Sequence, residues 1–325
     1  MPTRSILGSN AFSGTPVAGC GAILRSMRVF HLPSRLRASL LLLCAGALSA
    51  LPARAQAPAV RLTPEVVEAG SPELIRVAAP AGASLSGEWL GQKLEFFRGR
   101  AGQVWFALAG VDVEAATGAS DLQIRLLPEG GGKAIDLSRK VEIHEAHYRT
   151  GALTVAPRFV APPAAEMERI KEEVELKARV FSASAAEPLW TGDFRAPVAA
   201  PSLDSFGTRR IFNGQLASVH KGMDFRARTG TVVRAGNGGV VALARPLYYE
   251  GNCVVIDHGL GLYTIAMHLS RITVREGQQV STGERIGLSG ATGRVTGPHL
   301  HWAVRWQDAY LDPAKLLQMD LNGVR

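Results

Sequence analysis

From residue 58 to about 150 the apolar positions come in short runs, ELIRVAA, SLSGEWL, QVWFALAG and LQIRLLP, broken by Gly, Pro, Asp and Ser. Such runs predict strands, and about seven at this spacing predict a small Ig-like β-sandwich. The pattern changes over residues 162–181, PPAAEMERIKEEVELKARVF. Pro162-Pro163 suits a helix start, and Ile170, Val174, Leu176 and Val180 give a partial apolar stripe among mixed charges. SASAAEPLW and FRAPVAAP then read as an extended connector. Strand-like runs resume near Ser205: TVVRAG, GVVALAR, NCVVIDHG, LYTIAMHL, GQQV, ERIGLSG and HLHWAVRW, separated by glycine turns. LDPAKLLQM closes the chain as a short helix. The chain is therefore mainly β, with 35 glycines and 18 prolines to supply its turns. It divides into a leader (1–57), an N-terminal β-sandwich domain (58–150), a linker with one helix (151–202) and a second β-domain (203–325).

The leader changes the reading of charge. Of the 36 basic residues, six arginines (Arg4, Arg25, Arg28, Arg35, Arg37, Arg54) lie in the first 55 positions, which hold no Asp or Glu. The rest carries 30 basic and 28 acidic residues, a balance of +2 against +8 for the whole chain. A nearly neutral body without a basic tract excludes nucleic acid as the expected partner. Arg35 and Arg37 precede an apolar run, SLLLLCAGALSAL, and ALPARAQA follows with small-residue cleavage sites after Ala55 or Ala57. This is the layout of a secretory signal. The run of about 13 residues is short of the roughly 20 that span a bilayer, so no stable membrane span is expected after cleavage. Met27 onward is a signal of ordinary length, and Met27 is the alternative start. Val17-Ala18-Gly19-Cys20 resembles a lipobox but lacks a strong apolar run before it. Export to the periplasm or cell envelope is the expectation. Of the three cysteines only Cys253 survives cleavage, in a strand pattern that reads as a buried, inert thiol.

Five of the eight histidines fall in the second β-domain. In VHKGMDF, strand alternation puts His220 and Asp224 on one face, with Gly222 leaving room between them and Met223 and Phe225 turned to a core. In PHLHW the same alternation puts His299 and His301 on one face and Leu300 and Trp302 on the other. Two imidazoles and a carboxylate suit zinc, and three protein ligands leave a fourth position for water, as in catalytic sites. Remaining histidines suit base and transition-state roles. Alternation does not say which of His299 and His301 binds metal. His144 and His147, with Glu142 and Glu145 nearby, read as solvated residues of a terminal strand. His258, in DHG, reads as structural.

HKGMDF, MHLS and GATGRVTGPHLHW together resemble the lysostaphin/LytM-type zinc endopeptidases, which cut peptide bonds of peptidoglycan. The resemblance covers about residues 203–315, extends through FGTRRIFNG and GNCVVIDHGLGLYT, and is looser in the first domain. It implies a C-terminal antiparallel β-sheet peptidase domain holding Zn2+ through His220, Asp224 and His301. It further implies that His299 is a catalytic base or proton shuttle and that His268 orients water or stabilises the oxyanion. Asn213 lies where some relatives bring an asparagine to zinc in a latent form. Arg209, Arg210 and Arg294 are open to two readings, facing stem-peptide carboxylates or solvated. The implied function is hydrolysis of peptide cross-links in bacterial peptidoglycan, with stem peptides as partner and a D-alanyl–diaminopimelate bond as the expected target. A non-catalytic wall-binding or amidase-activating protein of the same fold is the alternative, though such proteins lose ligands that this sequence keeps. A secreted peptidase acting on proteins is a third.

Overall fold

The computed structural model describes residues 59–324 apart from 154, 155, 204 and 213–215. The leader and Asn213 lie outside the described residues. Two sheets come first. One has four strands in the order Val60–Thr63, Pro72–Ala78, Val104–Gly110, Phe97–Arg98; the other has five, in the order Val67–Glu68, Ile135–His144, Gly118–Leu127, Ser84–Trp89, Gln92–Glu95. Alternation sets their inner faces: Leu62, Ile75, Val77 and Phe106 from one sheet join Trp89, Leu94, Leu122, Ile124 and Ile143 from the other in one apolar cluster. Burying such side chains contributes about 1.5–3 kcal/mol each.

The main sheet is antiparallel throughout. Its order is Ser202–Leu203, Met223–Phe225, Leu300–Trp306, Leu262–Leu269, Gly251–Asp257, Gly239–Leu247, Gln279–Val280, and Ala309–Leu311 pairs with Leu300–Trp306. Each central strand is apolar on both sides, and both are covered. Val254, Ile256, Leu262, Trp302 and Val304 face the large core shared with the first two sheets. Cys253, Val255, Tyr263, Ile265 and Ala303 face a second core. Helix α1 (Ala164–Phe181) lies over that second core and packs Leu176, Val180 and Phe181 onto it. Ile170 packs beside Phe159 and Tyr248, whereas Val174 points to solvent at 58% exposure, so the stripe has one fewer member than the sequence pattern predicts. Helix α2 (Pro313–Gln318) starts where Asp312 Oδ1 accepts from the Ala314 N–H, with proline at its first turn.

Two features lie beyond the hydrophobic pattern. Thr150–Leu153 forms a strand parallel to Arg209–Phe212, which in turn pairs with Leu216–Val219. A bulge interrupts the pairing of the Gly251–Asp257 and Leu262–Leu269 strands, where Cys253 alone stands opposite Met267 and His268. Among the described residues no helix is long and apolar enough to cross a membrane.

Candidate metal centre

His220 and Asp224 do not share a strand. The Leu216–Val219 strand ends one residue before His220, the chain bends at Gly222, and Asp224 sits in the Met223–Phe225 strand. They converge because Asp224 is the direct cross-strand partner of His301 and His220 is folded back over the pair. Met223, Phe225, Leu300 and Trp302 are buried on the core side, as alternation requires. Gly222 is obligatory: a Cβ there would lie 2.4 Å from His301 Nε2 and 2.9 Å from the Trp302 carbonyl.

Three donor atoms meet in this pocket. His220 Nε2 is 2.8 Å from His301 Nδ1, and Asp224 Oδ1 is 3.2 Å and 3.1 Å from these two atoms. Among the described residues this is the single group of acidic, histidine or cysteine side chains that can hold a metal ion. The separations approach the ~3.3 Å between two ligands of a tetrahedral zinc with bonds near 2.0–2.1 Å. The surroundings fit the same ion. His220 Nδ1–H donates to the Ser205 carbonyl at 2.7 Å, which leaves Nε2 with its lone pair facing the other donors. The Ser205 hydroxyl accepts from the Asp224 N–H at 3.1 Å. Arg210 Nη2 donates to Asp224 Oδ2 at 2.9 Å, so Asp224 divides its oxygens between the imidazoles and a guanidinium. Two histidine nitrogens and a carboxylate are a zinc-type donor set, and zinc is the cofactor the site implies.

His299 and His268 stand at the edge of the group. His299 Nε2 is 3.7 Å from Asp224 Oδ1, and its Nδ1–H donates to the Gly297 carbonyl at 2.8 Å. The His268 ring centre lies 5.0 Å from that of His299 and 5.9 Å from that of His301. Its Nδ1–H donates to the Thr292 carbonyl and its backbone N–H to the Glu250 carbonyl, both at 2.9 Å. The bulge re-aims this side chain. Leu269 stays in the same core as Ala266, which strict alternation would forbid, and His268 takes a left-handed backbone with φ of 61°. Such a conformation costs a non-glycine residue on the order of 1–3 kcal/mol and recurs at functional sites. Burial, aided by the neighbouring His301 and His299, lowers the His268 pKa to about 3. Burial likewise lowers His220 to about 4 against the pull of Asp224. Burial works against the Asp224 carboxylate too, but hydrogen bonds and charge from His220 and His301 outweigh it and hold the group well below the usual carboxylate range.

The candidate ligand set that the resemblance implies thus comes together in space, with the two candidate catalytic histidines beside it. The sequence reading missed Ser205 and Thr292, which act through backbone carbonyls that no side-chain pattern reveals. Arg210 is bound to Asp224 and lines the cavity in front of the cluster; Arg209 is exposed, and Arg294 lies over the Tyr249 ring at 4.8 Å. His258 is a buried structural residue, and Cys253 is buried with its thiol pKa pushed up by that burial. His144, His147, Glu142 and Glu145 are all exposed.

Residues 218–313 match the family description Peptidase family M23. This segment is an M23 peptidase domain. Its relatives include the peptidoglycan DD-endopeptidase ShyA of Vibrio cholerae, 55% identical over 83 residues that make up 26% of this chain and 19% of that protein. The DD-carboxypeptidase/endopeptidase Mpg of Neisseria meningitidis serogroup B is 41% identical over 98 residues, 30% of this chain and 23% of that protein. The chain spans about a fifth of the length of these curated relatives. A crystal structure from Pseudomonas aeruginosa assigned to peptidase M23 superposes with a TM-score of 0.55 at 26% identity, covering 74% of this chain and 95% of that one. That likeness reaches well beyond the M23 domain into the sheets that precede it. The LytM-type motifs HKGMDF, MHLS and TGPHLHW all lie within this matched segment, which also carries most strands of the main sheet.

Proposed function

We propose that the protein is a zinc-dependent endopeptidase that hydrolyses peptide cross-links of bacterial peptidoglycan. The observation that carries this reading is the convergence of His220 Nε2, Asp224 Oδ1 and His301 Nδ1 inside an M23 domain, with two further imidazoles beside them. The naming of relatives as peptidoglycan endopeptidases supports the substrate class. His220, Asp224 and His301 hold the metal in this account. Zinc, when bound, supplies Lewis-acid activation of water and of the peptide carbonyl.

The other roles follow from tautomers. A carbonyl accepts and never donates, so the Gly297 and Thr292 carbonyls fix the protons of His299 and His268 on Nδ1. Each ring then offers a bare Nε2. His299 Nε2, near Asp224 Oδ1, takes a proton from the attacking water and returns it to the leaving amine, as a general base and then a general acid. His268 accepts a hydrogen bond from the water and orients it. Oxyanion stabilisation by His268 would need a proton on Nε2 as well, hence an imidazolium, which its burial opposes. Of the two roles open to His268, the tautomer favours water orientation.

The Arg-flanked apolar leader supports export to the periplasm or cell envelope, with a mature start at Gln56 or Pro58. A nearly neutral exported body supports a D-alanyl–diaminopimelate cross-link as target, and the first two sheets serve as spacer or regulator. The test is digestion of purified muropeptides by residues 58–325 with zinc, after chelation, and after zinc is restored. Cleavage that disappears with chelation and returns with zinc is expected. Intact cross-links under all three conditions would overturn the proposal.

A further inference from the structure

Arg210 stands on the hairpin that leads to His220. Its strand, Arg209–Phe212, is antiparallel to Leu216–Val219, and the His220 N–H just beyond donates to the Thr208 carbonyl at 2.9 Å. Strand alternation turns Arg209 and Ile211 to solvent and Arg210 inward, in register with Gly151 of the Thr150–Leu153 strand. The Arg210 side chain keeps 20% exposure and that of Asp224 11%. Arg210 Nη2 donates to Asp224 Oδ2 at 2.9 Å, whereas Asp224 Oδ1 lies 3.1 Å from His301 Nδ1 and 3.2 Å from His220 Nε2. Burial opposes the arginine charge and lowers its pKa, while Asp224 works the other way. A cation this close to the seat of a dication repels it. Charge neutralisation is therefore a poor account of Arg210, since zinc would neutralise Asp224 by itself. Orientation is a better one. A carboxylate can give a metal one oxygen or two, and a hydrogen bond to one oxygen fixes which of them is offered.

We infer that Arg210 is a positioning residue that holds Asp224 Oδ2 off the metal, so that Asp224 ligates through Oδ1 alone. This rests on the reading of His220, Asp224 and His301 as the zinc ligands and adds to it the form that one ligand takes. With two imidazoles and a single carboxylate oxygen the protein fills three positions, and the fourth stays open as a catalytic zinc requires. A second oxygen from Asp224 would crowd that position and donate further negative charge, which weakens the ion as a Lewis acid. The Asp224 N–H is held separately by the Ser205 hydroxyl at 3.1 Å. The backbone is thus fixed without Arg210, and what Arg210 controls is the rotation of the carboxylate. One hairpin in this way leads into one ligand, His220, and restrains another, Asp224.

The experiment uses the full chain, stripped of metal and reloaded with Co2+ or Zn2+, as native protein, R210M, R210K and R209M. Four-coordinate Co2+ has intense visible bands that weaken when a further ligand binds. At saturating Co2+ the native protein should show the four-coordinate spectrum, and so should R209M, altered at the exposed neighbour on the same strand. R210M should hold the ion but lose much of that intensity, and R210K, which keeps a charged donor, should regain it. At saturating zinc, muropeptide turnover by R210M should fall by about 10–100-fold with KM little changed, the usual cost of removing a partner that orients a metal ligand. An R210M spectrum identical to the native one would overturn the inference. So would a five-coordinate spectrum in the native protein, a reading that decides the matter even if R210M does not fold. Failure of the native protein to bind either ion is a different result, which would overturn the ligand set itself and the inference with it.

Discussion

His258 illustrates what a histidine does here when it is not part of the metal centre. Fully buried, its Nδ1–H donates to the Gly238 carbonyl at 2.7 Å, its Nε2 accepts from the Thr264 hydroxyl at 2.8 Å, and its ring meets Phe194 edge-on. Burial lowers its pKa from 6.5 to about 4. Between those values the unfolded chain binds the proton and the folded chain does not, so the contribution to stability is complete above 6.5 and is lost as pH falls towards 4. The full shift corresponds to roughly 3 kcal/mol. His258→Gln is expected to be less stable at pH 7 but to lose stability less steeply from pH 7 to pH 4.5, as read by thermal melting. Parallel curves would remove His258 as a source of acid sensitivity. At this scale the sequence was informative wherever alternation held. His299 and His301 share a face, and Met223 and Phe225 turn inward. Alternation could not aim His268, which entered only through the MHLS resemblance, because one extra residue in a bulge reverses the direction of a side chain; it left Arg210 between two readings and passed over Ser205, whose roles exist only once distant strands meet.

Helix α1 ties the linker to the back of the site. Lys177 bridges to Glu250, whose backbone carbonyl receives the His268 N–H, and Glu173 Oε2 accepts the Tyr248 N–H at 2.7 Å. The turn after Tyr248 is held in its own way. Gly251 has φ of 65°, and a Cβ there would lie 2.3 Å from the Thr292 hydroxyl, which accepts from the Asn252 N–H. Thr292 in turn receives the His268 ring proton. Burial opposes the Lys177 charge, but the Glu250 carboxylate outweighs it and the lysine pKa is raised. Glu250 Oε2 is buried with no partner among the described residues, so the carboxylate depends on Lys177. Lys177→Met is expected to cost on the order of 3 kcal/mol by leaving that charge alone. The double variant with Glu250→Gln should recover much of the loss, and denaturant midpoints of the four proteins complete the cycle. Additive losses would mean that the pair is not coupled. The helix itself was legible from Pro162-Pro163 and its partial stripe. The Thr150–Leu153 strand was not, since its partner lies some sixty residues away and its sequence carries no alternation to announce it.

At the scale of the molecule, Gln56–Arg325 is one compact unit. The first two sheets join the M23 sheet through shared apolar packing and polar ties, among them Lys315 to Glu68 at 2.6 Å and the Tyr310 N–H to Asp112 at 2.7 Å. Changes of pattern marked where segments differ in type, but contacts across those boundaries depend on tertiary packing that no local pattern encodes. In the proposed function His220, Asp224 and His301 hold zinc while His299 moves the proton. The direct measurement is zinc content alongside muropeptide digestion for His299→Ala and His301→Ala. His301→Ala should lose zinc and activity together. His299→Ala should keep about one zinc and its fold while turnover falls by about 10²–10⁴-fold, the usual cost of losing a general base. Zinc lost from His299→Ala and kept by His301→Ala would reverse the two roles, and full zinc with near-native activity in both would contradict the claim outright.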